Sequence, residues 1–310
     1  LSNLGALIKL LRYIKQEDIR YIHCHTPAGG IIGRLLKVFK RELVVIYTAH
    51  GFHFYHGGSI LGWFLYYPVE LLLSYLTDVL VLINEEDFSF SKKQLRAQHV
   101  YKINGVGLDL TRFRILGSSM NADKRDTGNN ELVFIYVAQF IERKNHEYLL
   151  REFSKYYAIE SKAKLLLLGE GPLVGRVKLQ IEDLGLSDAV VMHGYKSNIQ
   201  DYYQLADVVL SVSKQEGFGM NLVEGLACGL TIVASRVRGH IDICEQLNNQ
   251  YLFDLRDNAL FETLKDLNPT TIRDAEIRMK NADMAECFEL QASITEMKKI
   301  YCKHLRISQN

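Results

Sequence analysis

Short apolar, β-branched runs alternate along this chain with longer segments of helical period, a pattern that calls for parallel sheets covered by helices. The first series reads as strands at residues 19–23, 43–48, 79–83 and 101–103, with helices at 30–39 and 61–76 among the intervening segments. Residues 117–130, GSSMNADKRDTGNN, are polar and aperiodic and suit a linker. A second series then places strands at 132–137, 163–168, 189–192, 208–212 and 231–234, with helices at 145–161, 173–184 and 219–228. The tail from Asp266 reads as helical throughout and ends in an amphipathic run at 286–304, the pattern of a surface helix.

With 310 residues the chain has room for two domains, each with its own core. The expected division is 1–117, 118–285 and a terminal helix at 286–310. A formal charge of +1 gives no general attraction to nucleic acid or anionic lipid, so any anion site is local. Five scattered cysteines without a C-x-x-C fit neither a disulfide framework nor a zinc cluster, and point to a reducing cytoplasm. The most apolar stretch, 60–83, is interrupted by Pro68, Glu70 and Asp78 and is no membrane span. The chain opens on Leu1, and residues 1–15 form an amphipathic helical pattern rather than a signal core, so the natural N-terminus is expected to lie upstream.

The most informative segment is 211–235, SVSKQEGFGMNLVEGLACGLTIVAS, where a strand passes through a glycine-rich turn into a helix. Gly217 and Gly219 allow close backbone approach, and the amides at the helix start favour an anion such as a diphosphate. Glu216 precedes the helix and Glu224 lies inside it. A carboxylate accepts two hydrogen bonds from a vicinal diol, so Glu224 suits a ribose and Glu216 a sugar; the plain alternative is two solvated glutamates. Lys144, after the strand at 132–137, points toward a ligand crevice if that strand is parallel, although a lone basic residue is also an ordinary solvated charge. The loop from Gly169 to Pro172 ends the next strand at the same edge.

In the first third, His50 follows a strand beside Gly51, placing it either in the crevice or among satisfied, partly buried histidines. His23, His25, His53 and His56 lie nearby in sequence but lack a matched carboxylate, so no metal site is assigned. The chain has no G-x-x-x-x-G-K-[ST], no G-x-G-x-x-G after a strand and no G-x-S-x-G, nor a basic stripe with interleaved aromatics. These absences disfavour P-loop kinases, nicotinamide dehydrogenases, the common hydrolases and nucleic-acid binders.

Taken together, IHCHTPAGG, TAHGFHFYHG, NGVGLDLTRF, ERKNHE, LLGEGP, HGYKSNIQDYYQLADVVLSVS and EGFGMNLVEGLACG resemble glycosyltransferase family 4, and do so in order along nearly the whole chain. The resemblance implies the GT-B fold, two facing Rossmann-like α/β domains with parallel sheets, the first on the acceptor side and lacking its opening strands, the second binding the donor. It also implies a retaining hexosyltransferase that takes a sugar from a nucleoside diphosphate sugar, by default UDP-linked, with no metal or other cofactor. TAHGFHFYHG with LYYPVE is similar to the capsule and exopolysaccharide branch, whose acceptors are lipid-linked saccharides at the inner membrane face.

By the same resemblance Glu224 holds the ribose, and Glu216 with the amides of Gly217, Phe218, Gly219, Met220, Asn221 and Leu222 holds sugar and phosphates. Lys144 meets the diphosphate, Gly169 borders the donor, Tyr195 and Lys196 border the base, and His50 approaches the reacting sugar. The leaving diphosphate helps to deprotonate the acceptor. Gln139 stands where the family has an arginine, so one charge partner for the diphosphate is missing. Peripheral membrane contact is expected through Arg34, Lys37, Lys40 and Arg41 around an apolar helix face. The other readings are a truncated, non-catalytic nucleotide-sugar-binding subunit and a sugar-nucleotide epimerase.

Overall fold

In the first strand–helix unit, two helical glycines decide how closely helix and sheet can pack. A Cβ at Gly33 would lie 2.0 Å from Cys24 Sγ, and one at Gly30 would lie 2.5 Å from the Tyr47 ring. The computed structural model describes residues 2–114, 132–245, 247 and 250–305. The expected linker at 117–130 and the domain boundary drawn in it lie outside the described residues.

The chain divides into two compact units, one holding residues up to Val106 and from Gln291 onward, the other Gly107–Leu290. The first contains α1 (Ser2–Gln16), β1 (Tyr21–His25), α2 (Pro27–Phe39), β2 (Val44–Ala49), α3 (Ile60–Ser74), β3 (Val79–Leu82), α4 (Glu85–Gln94) and β4 (His99–Lys102). Its strands pair in parallel in the order β1-β2-β3-β4. Leu7, Leu11 and Ile14 of α1 pack with Leu36 of α2 and with Leu43 and Val45. Strand β1 begins two residues later than the sequence pattern suggested, because Asp18 turns the chain at φ 45° and pairing with β2 runs from Tyr21 opposite Val44 to His25 opposite Thr48.

The basic segment expected to face a membrane is largely occupied inside the protein. Arg34 is 1% exposed and bonds Glu70 through both Nη atoms at 2.6 and 3.0 Å. Lys37 pairs with Asp78, and Lys40 meets Asp18 at 3.0 Å. Burying a guanidinium is tolerable only when it is paired, and α3 supplies that partner. Among the described residues no helix is long and apolar enough to cross a membrane.

The second unit contains β5 (Val133–Val137), α5 (His146–Tyr157), β6 (Lys164–Leu168), α6 (Val174–Asp183), β7 (Val190–Gly194), α7 (Ile199–Leu205), β8 (Val208–Ser211), α8 (Met220–Ala227), β9 (Thr231–Ser235), α9 (Arg238–Cys244) and β10 (Tyr251–Phe253). Helices α10 (Ala259–Lys265), α11 (Pro269–Arg273) and α12 (Ala275–Met284) follow, and α13 (Leu290–His304) then joins the first unit. The tail is therefore broken rather than helical throughout. Asn268 and Asp274 cap new helices, and Glu289 is extended and bridged to Leu108.

The six strands of this unit are parallel in the order β10-β9-β8-β5-β6-β7. Central strands buried on both faces explain why they read as unbroken apolar runs. From β5 the chain winds outward through β6 and β7, returns to lie beside β5 as β8, and winds the other way. The connections leaving β5 and β8 therefore diverge, opening a crevice at their carboxyl ends.

Candidate functional site

The two loops leaving that crevice are tied together. The Tyr136 hydroxyl donates to the Lys144 carbonyl at 2.8 Å and lies 3.2 Å from Ser213 Oγ, while the Lys214 amide donates to the Arg143 carbonyl at 2.8 Å. Lys144 and Glu216 form an ion pair. The Ser213 hydroxyl donates to Glu216 Oε1 at 2.7 Å, and Arg143 Nη1 donates to Oε2 at 3.1 Å. Burial alone would raise the Glu216 carboxyl, but the neighbouring Lys144 ammonium and the Ser213 hydroxyl hold it below the usual carboxylate range. Glu216 thus remains an anion although only 6% exposed.

The glycine-rich turn depends on two glycines. Gly219 caps α8 at φ 113°, a backbone conformation that side chains disfavour. Gly239, at the start of α9, lies so close to the turn that a Cβ would be 2.4 Å from the Phe218 carbonyl oxygen. This packing holds the 217–219 turn in place, with the first amides of α8 beyond it. Phe218 and Asn221 are buried, with Phe218 edge-on to Phe288 and Asn221 Nδ2 donating to the Leu210 carbonyl at 3.4 Å. Met220 is half-buried. The Leu222 amide bonds the Gly219 carbonyl at 2.9 Å and its side chain is fully buried.

About one turn into α8, Glu224 accepts from the buried Tyr203 hydroxyl at 2.8 Å. Burial pushes its carboxyl up to about 7, opposed by the Tyr203 hydrogen bond and by the positive charges of Arg112 and Lys144. Arg112 also lines a cavity of about 470 Å³ with Gly169, Tyr195 and Lys196, at the ends of β5 and β6. Gly169 makes that edge possible, since at φ 136° a Cβ would lie 2.1 Å from the Ala138 carbonyl oxygen. Gln139 is exposed on the adjoining loop. The volume falls in the range of small-molecule sites.

Two residues near these groups were not singled out from sequence. Arg112 sits in the NGVGLDLTRF stretch, and only the folded chain brings it beside Tyr195. His240 lies beneath Gly219, its Nδ1 donating to the Ser235 carbonyl at 2.8 Å and its buried Nε2 lacking a partner. No sequence signal separates it from an ordinary core histidine.

His50 belongs to the first unit, at the carboxyl edge of its sheet, where its Nε2 lies 3.0 Å from His25 Nδ1. His23 is engaged at both nitrogens, with Tyr301 Oη at 2.6 Å and Thr48 Oγ1 at 2.8 Å. The His53 ring packs against Tyr66, and the His56 amide donates to Glu86. Among the described residues no group of three His, Cys, Asp or Glu side chains is arranged to hold a metal ion.

This arrangement, with a parallel sheet in each unit, is shared in fold with solved structures. Anabaena Alr3699/HepE in complex with UDP-glucose aligns with a TM-score of 0.80 at 18% identity, covering 96% of this chain and 82% of that one. Sucrose-phosphate synthase from Thermosynechococcus elongatus aligns with a TM-score of 0.82 at 19% identity, covering 97% and 79%. The fold is therefore the GT-B fold of glycosyltransferases.

The family model described as "Glycosyl transferases group 1" matches residues 120–268, and "Glycosyl transferase 4-like" matches residues 1–83. EpsD of Bacillus subtilis (strain 168), named as a glycosyltransferase, is 34% identical over 84% of this chain and 70% of its own length. A UDP-Gal:alpha-D-GlcNAc-diphosphoundecaprenol alpha-1,3-galactosyltransferase of Escherichia coli is 25% identical over 86% of this chain and 72% of its own length. This chain belongs to the glycosyltransferases and is an enzyme of sugar transfer.

Proposed function

We propose that the chain transfers a hexose from a UDP-sugar to a lipid-linked saccharide, with retention at the anomeric carbon and without a metal, in capsule or exopolysaccharide synthesis. The observation that carries this reading is the pairing of Lys144 with Glu216 at the switch point, with Glu224 farther along on α8. One cation, two carboxylates and a helix start together match the charges and hydroxyls of a nucleoside diphosphate sugar.

In this reading Lys144 and the first amides of α8 hold the diphosphate, and Glu224 the ribose. Arg112, Tyr195 and Lys196 line the cavity for the base, Glu216 orients the sugar, and His50 serves the acceptor. Negative charge grows on the diphosphate as the anomeric bond breaks, and preorganised amides with an ammonium stabilise it. The name of the Escherichia coli relative, with its diphosphoundecaprenol acceptor, supports a lipid-linked acceptor. So does the outer side of α3, where Ile60, Phe64 and Leu72 are strongly exposed apolar residues suited to peripheral contact with a membrane face.

The test is calorimetric titration with UDP, with magnesium and with chelator, followed by assay of UDP release from UDP-galactose in the presence of a diphosphoundecaprenol-linked sugar. Equal UDP binding in both buffers, lost in Glu224→Ala, is expected. Binding that requires magnesium overturns metal independence, and binding unaffected by the substitution removes the ribose role of Glu224. Interconversion of donor sugars without transfer would indicate an epimerase instead.

A further inference from the structure

The partners of Glu216 differ in what a bound donor would ask of them. Lys144 and Arg143 hold its carboxylate, and both are cations that an arriving diphosphate would draw toward itself. Two other anchors lie beneath the glycine-rich turn. The first is direct: Arg238, only 5% exposed, donates from Nε to the Glu216 carbonyl at 3.2 Å. The second runs through three buried side chains. His240 Nδ1 donates to the Ser235 carbonyl at 2.8 Å and lies 3.3 Å from Ser235 Oγ. The Ser235 hydroxyl donates to the Ser213 carbonyl at 2.7 Å, and the Ser213 hydroxyl donates to Glu216 Oε1.

Both anchors start on the first turn of α9. Arg238, Gly239 and His240 follow one another there and meet Glu216, Phe218 and Gly219, with His240 Cδ2 2.9 Å from the place a Cβ on Gly219 would take. The tautomer of His240 is decided by its partner. A carbonyl only accepts, so the proton sits on Nδ1, and Nε2 keeps a lone pair that is buried and without a partner. A second proton is disfavoured chiefly by burial, which pushes the pKa down to about 4; the Glu216 carboxylate and the Ser235 carbonyl favour the charge, and Lys144 opposes it. The ring is therefore a neutral strut with one fixed donor.

We propose that Arg238 and His240 are positioning residues for the donor sugar, holding the Glu216 carboxylate in place when Lys144 and Arg143 turn to the diphosphate. The proposal rests on the assignment of Glu216 to the sugar. A carboxylate displaced by about 1 Å no longer meets the same hydroxyls, so its anchorage matters most at the moment its cations are shared with the ligand. The contacts assigned to Lys144 and Glu224 on the diphosphate and the ribose pass through neither anchor. The two residues therefore act on the sugar's share of donor recognition and leave the nucleotide's share alone.

The test compares calorimetric binding of UDP with that of UDP-galactose, UDP-glucose and UDP-N-acetylglucosamine, on the full chain and on Glu216→Gln, Arg238→Met, Arg238→Lys, His240→Leu and His240→Asn. Methionine and leucine keep bulk without a donor, whereas lysine and asparagine keep an N–H donor. Arg238→Met and His240→Leu are expected to bind UDP within about twofold of wild type and to lose about tenfold in affinity for whichever sugar donor wild type binds most tightly. Arg238→Lys and His240→Asn are expected to recover most of that loss, and they carry the comparison if either apolar variant no longer unfolds cooperatively. Parallel loss of UDP and sugar-donor binding in cooperatively unfolding variants overturns the proposal, since the role is then general support of the turn. Wild-type affinity for every donor in Glu216→Gln overturns the assignment of Glu216, and the proposal with it. Loss in Glu216→Gln with wild-type donor affinity in Arg238→Met and His240→Leu overturns the positioning alone. Long-range nitrogen–proton correlation on the ¹⁵N-histidine-labelled chain is expected to show His240 protonated at Nδ1 and bare at Nε2; a proton resident on Nε2 overturns the His240 anchor.

Discussion

Lys144 and Glu216, 72 residues apart in sequence, form an ion pair where the loops after β5 and β8 part, and both side chains are largely withdrawn from solvent. The pair links folding to donor binding, because the lysine that would neutralise a diphosphate also compensates a buried carboxylate. Lys144→Met is therefore expected to lower stability by about 3 kcal/mol, the usual cost of leaving a buried charge without its main partner. Adding Glu216→Gln should recover most of that loss without restoring UDP binding. Urea denaturation and calorimetry on the single and double variants check both effects, and equal stability in all three proteins would refute the coupling.

Glu224 provides a pH signature. Its carboxyl is raised from the usual 4.5 to about 7, chiefly by burial. Between those values the folded chain holds a proton that the unfolded chain has released, so this group makes stability fall as pH rises across the window. Glu224→Gln should remove that slope, gaining about 1–3 kcal/mol on wild type between pH 4.5 and 8. It should also weaken UDP binding about tenfold or more, as expected for loss of a charge-assisted bond to the ribose. Denaturation curves at the two pH values, with UDP titration, measure both.

Gly239 is a buried point of backbone contact with the glycine-rich turn. A methyl group there meets the Phe218 oxygen, Cα and nitrogen at 2.4–2.6 Å, and backbone cannot rotate aside. Gly239→Ala is expected to displace the glycine-rich turn and weaken UDP binding by about tenfold or more, a cost of at least 1.4 kcal/mol. Gly175→Ala, where a Cβ would have nothing within 4 Å, serves as the control and should bind normally.

His146 is stacked on Phe140 at 4.2 Å, with both ring nitrogens buried and unpartnered. Burial, then Lys144, push its pKa down to about 4, so its contribution makes stability fall as pH drops from about 6.5 toward 4. His146→Leu removes two unsatisfied polar atoms and should raise stability at pH 7 by about 1 kcal/mol and more at pH 5. Thermal melts at both values check the sign; a loss of stability at pH 5 would show that the imidazole supplies packing that leucine cannot.

Much of this architecture is legible in the chain because local chemistry and final environment agree. The apolar runs around Phe134, Leu166 and Val209 can only be central strands, and the Gly217–Gly219 turn announces a helix start. Strand β10 escapes that reading because Tyr251–Phe253 is only three residues long and is defined by its pairing with β9. The basic run at Arg34 misleads for the opposite reason: its partners Glu70, Asp78 and Asp18 come from elsewhere in the chain.

The sequence by itself determines two α/β series, a glycine-rich anion turn, and the pair Glu216 and Glu224 beside it, since these follow from periodicity and from the backbone freedom of glycine. Tertiary structure decides the rest. It places Lys144 on Glu216, Tyr203 on Glu224, Arg112 beside Tyr195, and His25 on His50. Those contacts depend on strand order and register, and a winding that reverses between β5 and β8 joins residues whose separation along the chain carries no local signal.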